Sequence, residues 1–304
     1  MSHYTIHTNY YDKEKMKTAR NIGLFYNGEN QQNIINAIPP NVKSLSLYNI
    51  VNPITIPEHI ERLSLAKDSK LDIITFSPNL RTLILESQDT IFQNFPESIT
   101  NLTIYSTKIE KLIVPKNLKK LKLYCISLVL PPLPNLEKLH IYCENSCPID
   151  FLPQTLKTLS LQSYRNSYNF SNLPNLHKLK IHGFAPDLTV VNVKYVKYCD
   201  EKPINFPISV EKIKSASHPK NLGKLVNLLI LKCQAGQEDI LHVPEQLEKL
   251  HCCGYDKIVF SENPQIRKIK VKEVNLIYTE FANLPEYIDI RIHKGHQIWE
   301  KIDD

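Results

Sequence analysis

Leu133-Pro134-Asn135-Leu136-Glu137-Lys138-Leu139-His140-Ile141 decides how this chain folds, because its wording returns from near one end of the 304 residues to the other. The wording is proline, a short gap, then Leu-x-x-Leu-x-Leu. Its middle apolar residue falls at Leu45, Leu63, Leu83, Leu102, Leu121, Leu139, Leu159, Leu179, Val196, Ile213, Leu229, Leu250, Ile269 and Ile290. That makes about fourteen copies at a spacing of roughly 16 to 21 residues, the mark of a repeat architecture. Proline stands two or three places before the first apolar residue in nearly every copy. The copies centred on Val196 and Leu229 lack it, so register is least well marked between residues 184 and 232.

Within one copy Leu136, Leu139 and Ile141 point inward, while Lys138, His140 and Tyr142 alternate to the other face of a short strand. One such strand cannot bury its own apolar side. Stacked copies do so jointly, each backbone pairing with its neighbours about 4.8 Å away. Proline lacks a donor and fixes its own φ, so it belongs in the extended segment before the strand, where no ladder bond is lost. Repeats this short leave no room for a full helix on the return. The spacing predicts mostly extended or 3-10 return segments and little α-helix. Residues 1–40 read as an N-terminal cap holding a degenerate copy at Ile22 to Tyr26 and short helices at Asp12–Thr18 and Asn30–Ile38. Residues 41–293 carry the repeats and 294–304 form a C-terminal tail.

These residues resemble the leucine-rich repeat superfamily from about residue 20 to 295, most closely in the short-repeat class of secreted bacterial effectors and some amoebal repeat proteins. The resemblance implies a horseshoe solenoid with parallel β-strands on its concave face. One departure stands out. The family usually places Asn or Cys three residues after the last strand leucine, whereas here those positions include Ile50, Thr107, Ile126 and Glu144. The residue just before is more uniform: Asn49, Ser87, Ser106, Cys125, Cys143, Ser163, Gly183, Cys233 and Gly254. A ladder of small residues has moved by one place. Some effectors of this class carry a ubiquitin-ligase domain after the repeats; with a dozen or so residues beyond Ile292, Trp299 among them, none is expected here.

Composition narrows the setting. Apolar residues make up 42% of the chain, yet no run approaches the roughly 18 needed to span a membrane. Met1 to Arg20 carry no apolar signal core. Seven cysteines without a tight framework suit a reducing compartment. The expectation is a monomer in the cytoplasm, with the nucleus as the alternative, away from membranes.

The outward positions gather charge. Lys120, Lys122, Lys138, Lys178, Lys180, Lys212, Lys214, Lys249, Lys268 and Lys270 lie there, with Arg62, Lys197, Lys232, Lys272 and Arg291, against Glu86 and Asp289. The excess over an even scatter is about threefold. His140, His182, His251 and His293 share these columns and are expected to add charge on mild acidification. Tyr48, Tyr105, Tyr124, Tyr142 and Tyr195 are interleaved, supplying wide contact area at low entropy cost. Lysine on an exposed strand ladder also serves solubility alone. The expected function is a non-enzymatic interaction scaffold for a protein with an acidic surface. A nucleic acid or other polyanion on the same face is the alternative; the scarcity of arginine argues against base readout. No phosphate loop, nucleophile elbow or metalloprotease motif occurs, so no catalytic residue and no cofactor is expected. Cys143 and Cys147 near His140 have zinc-like spacing, but Cys125, Cys143 and Cys233 fit the small-residue ladder and Cys252 a core position, so structural thiols and no metal are expected.

Overall fold

The computed structural model describes residues 3–6, 12–25, 30–50, 52–66, 71–87, 91–128, 130–144, 152–162, 170, 172–183, 187–235, 240–262, 264–273, 280–285 and 289–294. Ser163, Cys147 and Trp299 lie outside them. Contacts divide the chain into two compact units, Met1–Leu156 and Lys157–Asp304.

In the first unit, eight strands run parallel in chain order: β1 His3–Ile6, β2 Asn21–Leu24, β3 Ser44–Leu47, β4 Arg62–Leu65, β5 Thr82–Glu86, β6 Asn101–Tyr105, β7 Lys120–Cys125 and β8 Lys138–Cys143. Each repeat supplies one of them. The centre residues Ile22, Leu45, Leu63, Leu83, Leu102, Leu121 and Leu139 stand opposite one another in register. All are at most 1% exposed, which makes them the spine of the core. The short helices fall where the sequence puts them, α1 at Lys13–Thr18 and α2 at Gln31–Asn36. Asp12 caps α1 by accepting from the backbone N–H of Glu14 and Lys15, and the backbone N–H of Lys15 holds its carboxyl below the usual carboxylate range. The Gln32 amide bridges α2 to the return segment, donating to the Thr55 carbonyl and accepting from the Thr55 N–H.

The second unit repeats the plan with β9 Thr158–Gln162, β10 Lys178–His182, β11 Tyr195–Tyr198, β12 Lys212–Ser215, β13 Ile230–Gln234, β14 Lys249–Cys253, β15 Lys268–Glu273 and β16 Asp289–Lys294. Its spine runs Leu159, Leu179, Val196, Ile213, Leu231, Leu250 and Ile269. The expectation of Leu229 at the centre of its copy is corrected here. Leu229 is 37% exposed, and Leu231, fully buried, pairs with Ile213 and Leu250. The shift of two residues takes Cys233 out of the small-residue ladder and into the strand core opposite Cys252, leaving Ala235 in the ladder place. A shift by an even number preserves facing, so Lys232 still points outward.

A repeated turn delivers each strand. The N–H of the first apolar residue bonds the carbonyl three places earlier, as in Ile60 to Pro57, Leu118 to Pro115, Leu156 to Pro153 and Leu247 to Pro244. Proline at or next to that acceptor presets the turn φ. The asparagine inside the turn reaches back one repeat: Asn79 donates to Glu58 O at 3.0 Å, Asn117 to Glu97 O at 3.4 Å, Asn135 to Lys116 O at 2.9 Å and Asn227 to Ile208 O at 3.0 Å. This ladder lies before the strand, not after it. Asn135→Ala should lower unfolding stability by about 0.5–1.5 kcal/mol, the net worth of one such bond, read as a drop in urea midpoint at unchanged slope. After the strand, Asn49, Gly183 and Gly254 take positive φ of 54°, 87° and 78°, which explains small or amide residues at those members of the shifted ladder. Ser106 and Cys143 bond turn carbonyls there.

Return segments carry extended pairs, Ile54–Thr55 with Ile74–Thr75 and Ile240–His242 with Lys257–Val259, and 3-10 turns at Leu71–Ile73 and Leu222–Lys224. Ile54, Leu241 and Ile258 of these pairs close the core from the side opposite the main strands. Each unit is thus a parallel β-solenoid with little helix.

Candidate functional site

Alternation along an in-register parallel stack turns sequence columns into physical rows. None of the sixteen expected face residues is buried.

In the first unit, Lys120 stands opposite Lys138, Lys122 opposite His140, and Tyr105, Tyr124 and Tyr142 form one row. The Tyr105 and Tyr124 rings stack at 4.5 Å and 12°, Tyr142 lies 6.3 Å from Tyr124, and His140 is tilted against Tyr124 at 5.3 Å. Burial first, and Tyr105 second, push the Tyr124 hydroxyl pKa above its ordinary value. Tyr48 is not part of this row; it stacks on Phe25 at 3.7 Å. Cations do not line the whole face. On β3 to β6 the outward positions are largely neutral, Ser44, Ser46, Ser64, Thr82, Asn101 and Thr103, with Arg62 and Glu86 the charged exceptions.

In the second unit the cations are denser. One row runs Lys180, Lys197, Lys214, Lys232, His251, Lys270 and Arg291, each opposite the next. The row beside it holds Lys178, Tyr195, Lys212, Ile230, Lys249, Lys268 and Asp289. His182 follows Lys178 and Lys180 on β10. Tyr195 separates two lysines and faces both, with Lys178 Nζ 4.9 Å and Lys212 Nζ 5.3 Å from its ring centre. Asp289 lies 3.5 Å from Arg291. The side chains of Lys272 and His293 lie outside the described residues.

Crowding like charges at strand spacing leaves a mark. Burial, then Lys214, Lys270 and Lys197, push the Lys232 pKa down to about 8, and burial with Lys212, Lys197, Lys178 and Lys180 lowers that of Lys214. Burial first, then Lys232, Lys270, Lys268 and Lys214, lower the His251 pKa below the ordinary histidine value. Lys232 has a folded pKa below the ordinary 10.5 and binds fewer protons folded than unfolded between about 8 and that value. Stability from this group is therefore expected to rise with pH across that window, while affinity for an anion falls. Urea midpoints at pH 7.5 and 9.5 check this: the gain should be smaller in Lys232→Gln.

The thiols behave as core groups. Burial raises the pKa of Cys252, and burial also raises Cys233 to about 12 while the Tyr255 hydroxyl at 3.3 Å opposes it. Cys125 is raised first by its hydrogen bond with Cys143 and then by burial. Among the described residues no group of three or more His, Cys, Asp or Glu is placed to hold a metal, and no helix is long and apolar enough to cross a membrane.

One strand per repeat, an apolar spine and a proline-led turn define a parallel solenoid of the leucine-rich-repeat type. No family model matches the chain and no curated protein matches it. Among solved structures it is similar to CroV588, described as a novel circular LRR protein, at 12% identity and a TM-score of 0.41, over 96% of this chain and 68% of that one. Sequence reading set these side chains outward on the strands but missed the turn asparagines and the return ladders. The recurring Pro-Asn-Leu and apolar-x-apolar-Pro wordings were their signals.

Proposed function

We propose that the chain is a non-enzymatic scaffold that docks an acidic protein surface on its strand face, in the cytosol or nucleus. The observation that carries this reading is the Tyr105, Tyr124 and Tyr142 row set beside Lys120, Lys122, Lys138 and His140. Rings stacked on one another offer edges and hydroxyls to a partner, together with flanking ammonium groups. Strands hold them in place beforehand, which limits the ordering cost of binding. Acidic side chains meeting this patch gain steering and register from the lysines.

A second reading has its own support. The row from Lys180 to Lys232 in the second unit is a linear array of four ammonium groups at strand spacing, continued past His251 by Lys270, and is suited to the phosphates of an extended polyanion. Its neighbouring row carries one tyrosine, and lysine contacts phosphate without reading bases. Affinity capture from the cell that makes the chain, with and without nuclease, separates the two. A bound protein that survives nuclease supports the first reading; loss of all captured material on nuclease treatment contradicts it and favours the second.

A further inference from the structure

The chain has six arginines against 31 lysines, yet three of the six converge on one cleft of about 580 Å³ in the first unit. Arg20, Arg62 and Arg81 line it where β2 to β5 begin, together with Lys43, Glu61 and Thr82. Register explains the convergence. Arg62 stands opposite Thr82, and Arg81 immediately precedes Thr82, so the two guanidinium groups come from adjacent strands. Lys43 is engaged with Glu61 at 3.7 Å. None of the three arginines forms an ion pair with a described residue. Thr82 Oγ1 accepts from Asn101 Nδ2 at 3.2 Å, which leaves its proton for an acceptor in the cleft.

The four cations against Glu61 leave three positive charges in excess, more than a single carboxylate balances. Guanidinium forks match phosphoryl oxygens two at a time, a recognition that lysine cannot supply. The volume falls in the range of small-molecule sites. We infer that this cleft binds a small anion bearing two or three linked phosphates, with Arg62 and Arg81 clasping the phosphoryl oxygens and Arg20 balancing the remaining charge. The inference is independent of the docking reading, since it uses a different edge of the strands and a different class of ligand.

Calorimetric titration of the full chain with inorganic pyrophosphate tests it. Saturable one-to-one binding is expected, tighter than for sulfate. Arg62→Gln with Arg81→Gln should weaken it at least tenfold at an unchanged urea midpoint, and Arg62→Lys with Arg81→Lys should restore only part of the loss. Lys197→Gln with Lys232→Gln, in the other unit, should leave it unchanged. Absence of saturable binding to the wild type overturns the proposal. So does an equal loss in the Lys197 and Lys232 variant, which would mark attraction by overall charge, or full affinity in the lysine replacements, which would remove the role of the guanidinium fork.

Discussion

Leu121→Ala is expected to cost about 2–5 kcal/mol of unfolding stability. Leu121 is 1% exposed and sits between Leu102 and Leu139 in the spine. Backbone ladders on both sides hold β6, β7 and β8 at strand spacing, so the walls cannot close on the space left by the side chain. Coupling between neighbours sums along a repeat array, and the lesion weakens two interfaces at once. Against a typical total of about 5–15 kcal/mol, that is a large share. Urea unfolding measures it. Lys120→Ala, exposed on the same strand, should stay within about 0.5 kcal/mol of the wild type. Equal losses for the two would mean that Leu121 is not a spine residue.

The second large effect lies in the charge row. If the row holds a polyanion, as the second reading proposes, joint replacement of Lys197, Lys214 and Lys232 by Glu is expected to weaken binding of single-stranded oligonucleotide by about 100-fold at 0.1 M salt, equal to about 1 kcal/mol per lost contact. The slope of log affinity against log salt should become shallower by about 2, at about 0.7 per phosphate contact. The three positions follow one another in register and are only half-buried. Lys180, Lys212 and Lys270 remain beside the new carboxylates as counter-charges, and a urea midpoint equal to that of the wild type checks that the variant is folded. An unchanged slope would show that these lysines do not contact the polyanion.

Most of the spine was legible because proline and a period of two pin each copy. The exception has a physical cause: Leu228, Leu229, Ile230 and Leu231 are apolar in succession, and no proline marks which of them starts the strand. Pairing with Ile213 and Leu250 chose Leu231. Strand β1 was not legible, since His3–Ile6 offers a single buried apolar residue, Ile6, before a copy with no proline. Outward lysines were legible from alternation alone, but not how they perturb one another; the lowered pKa of His251 depends on lysines from three other strands. The arginine cleft was hidden for a related reason. Arg20 and Arg81 precede their strands by one residue, outside the alternating face, and only the stacked register sets them beside Arg62.

One measurement bears most directly on the docking face. Lys120→Glu, Lys122→Glu and Lys138→Glu, combined in one chain, should fold as the wild type does, because all three are outward and exposed. In quantitative affinity capture, the nuclease-resistant protein partner held by the wild type should be lost from this variant, while a Lys224→Glu control retains it. Capture of that partner by the triple variant at the wild-type level would contradict a basic strand face as the binding surface.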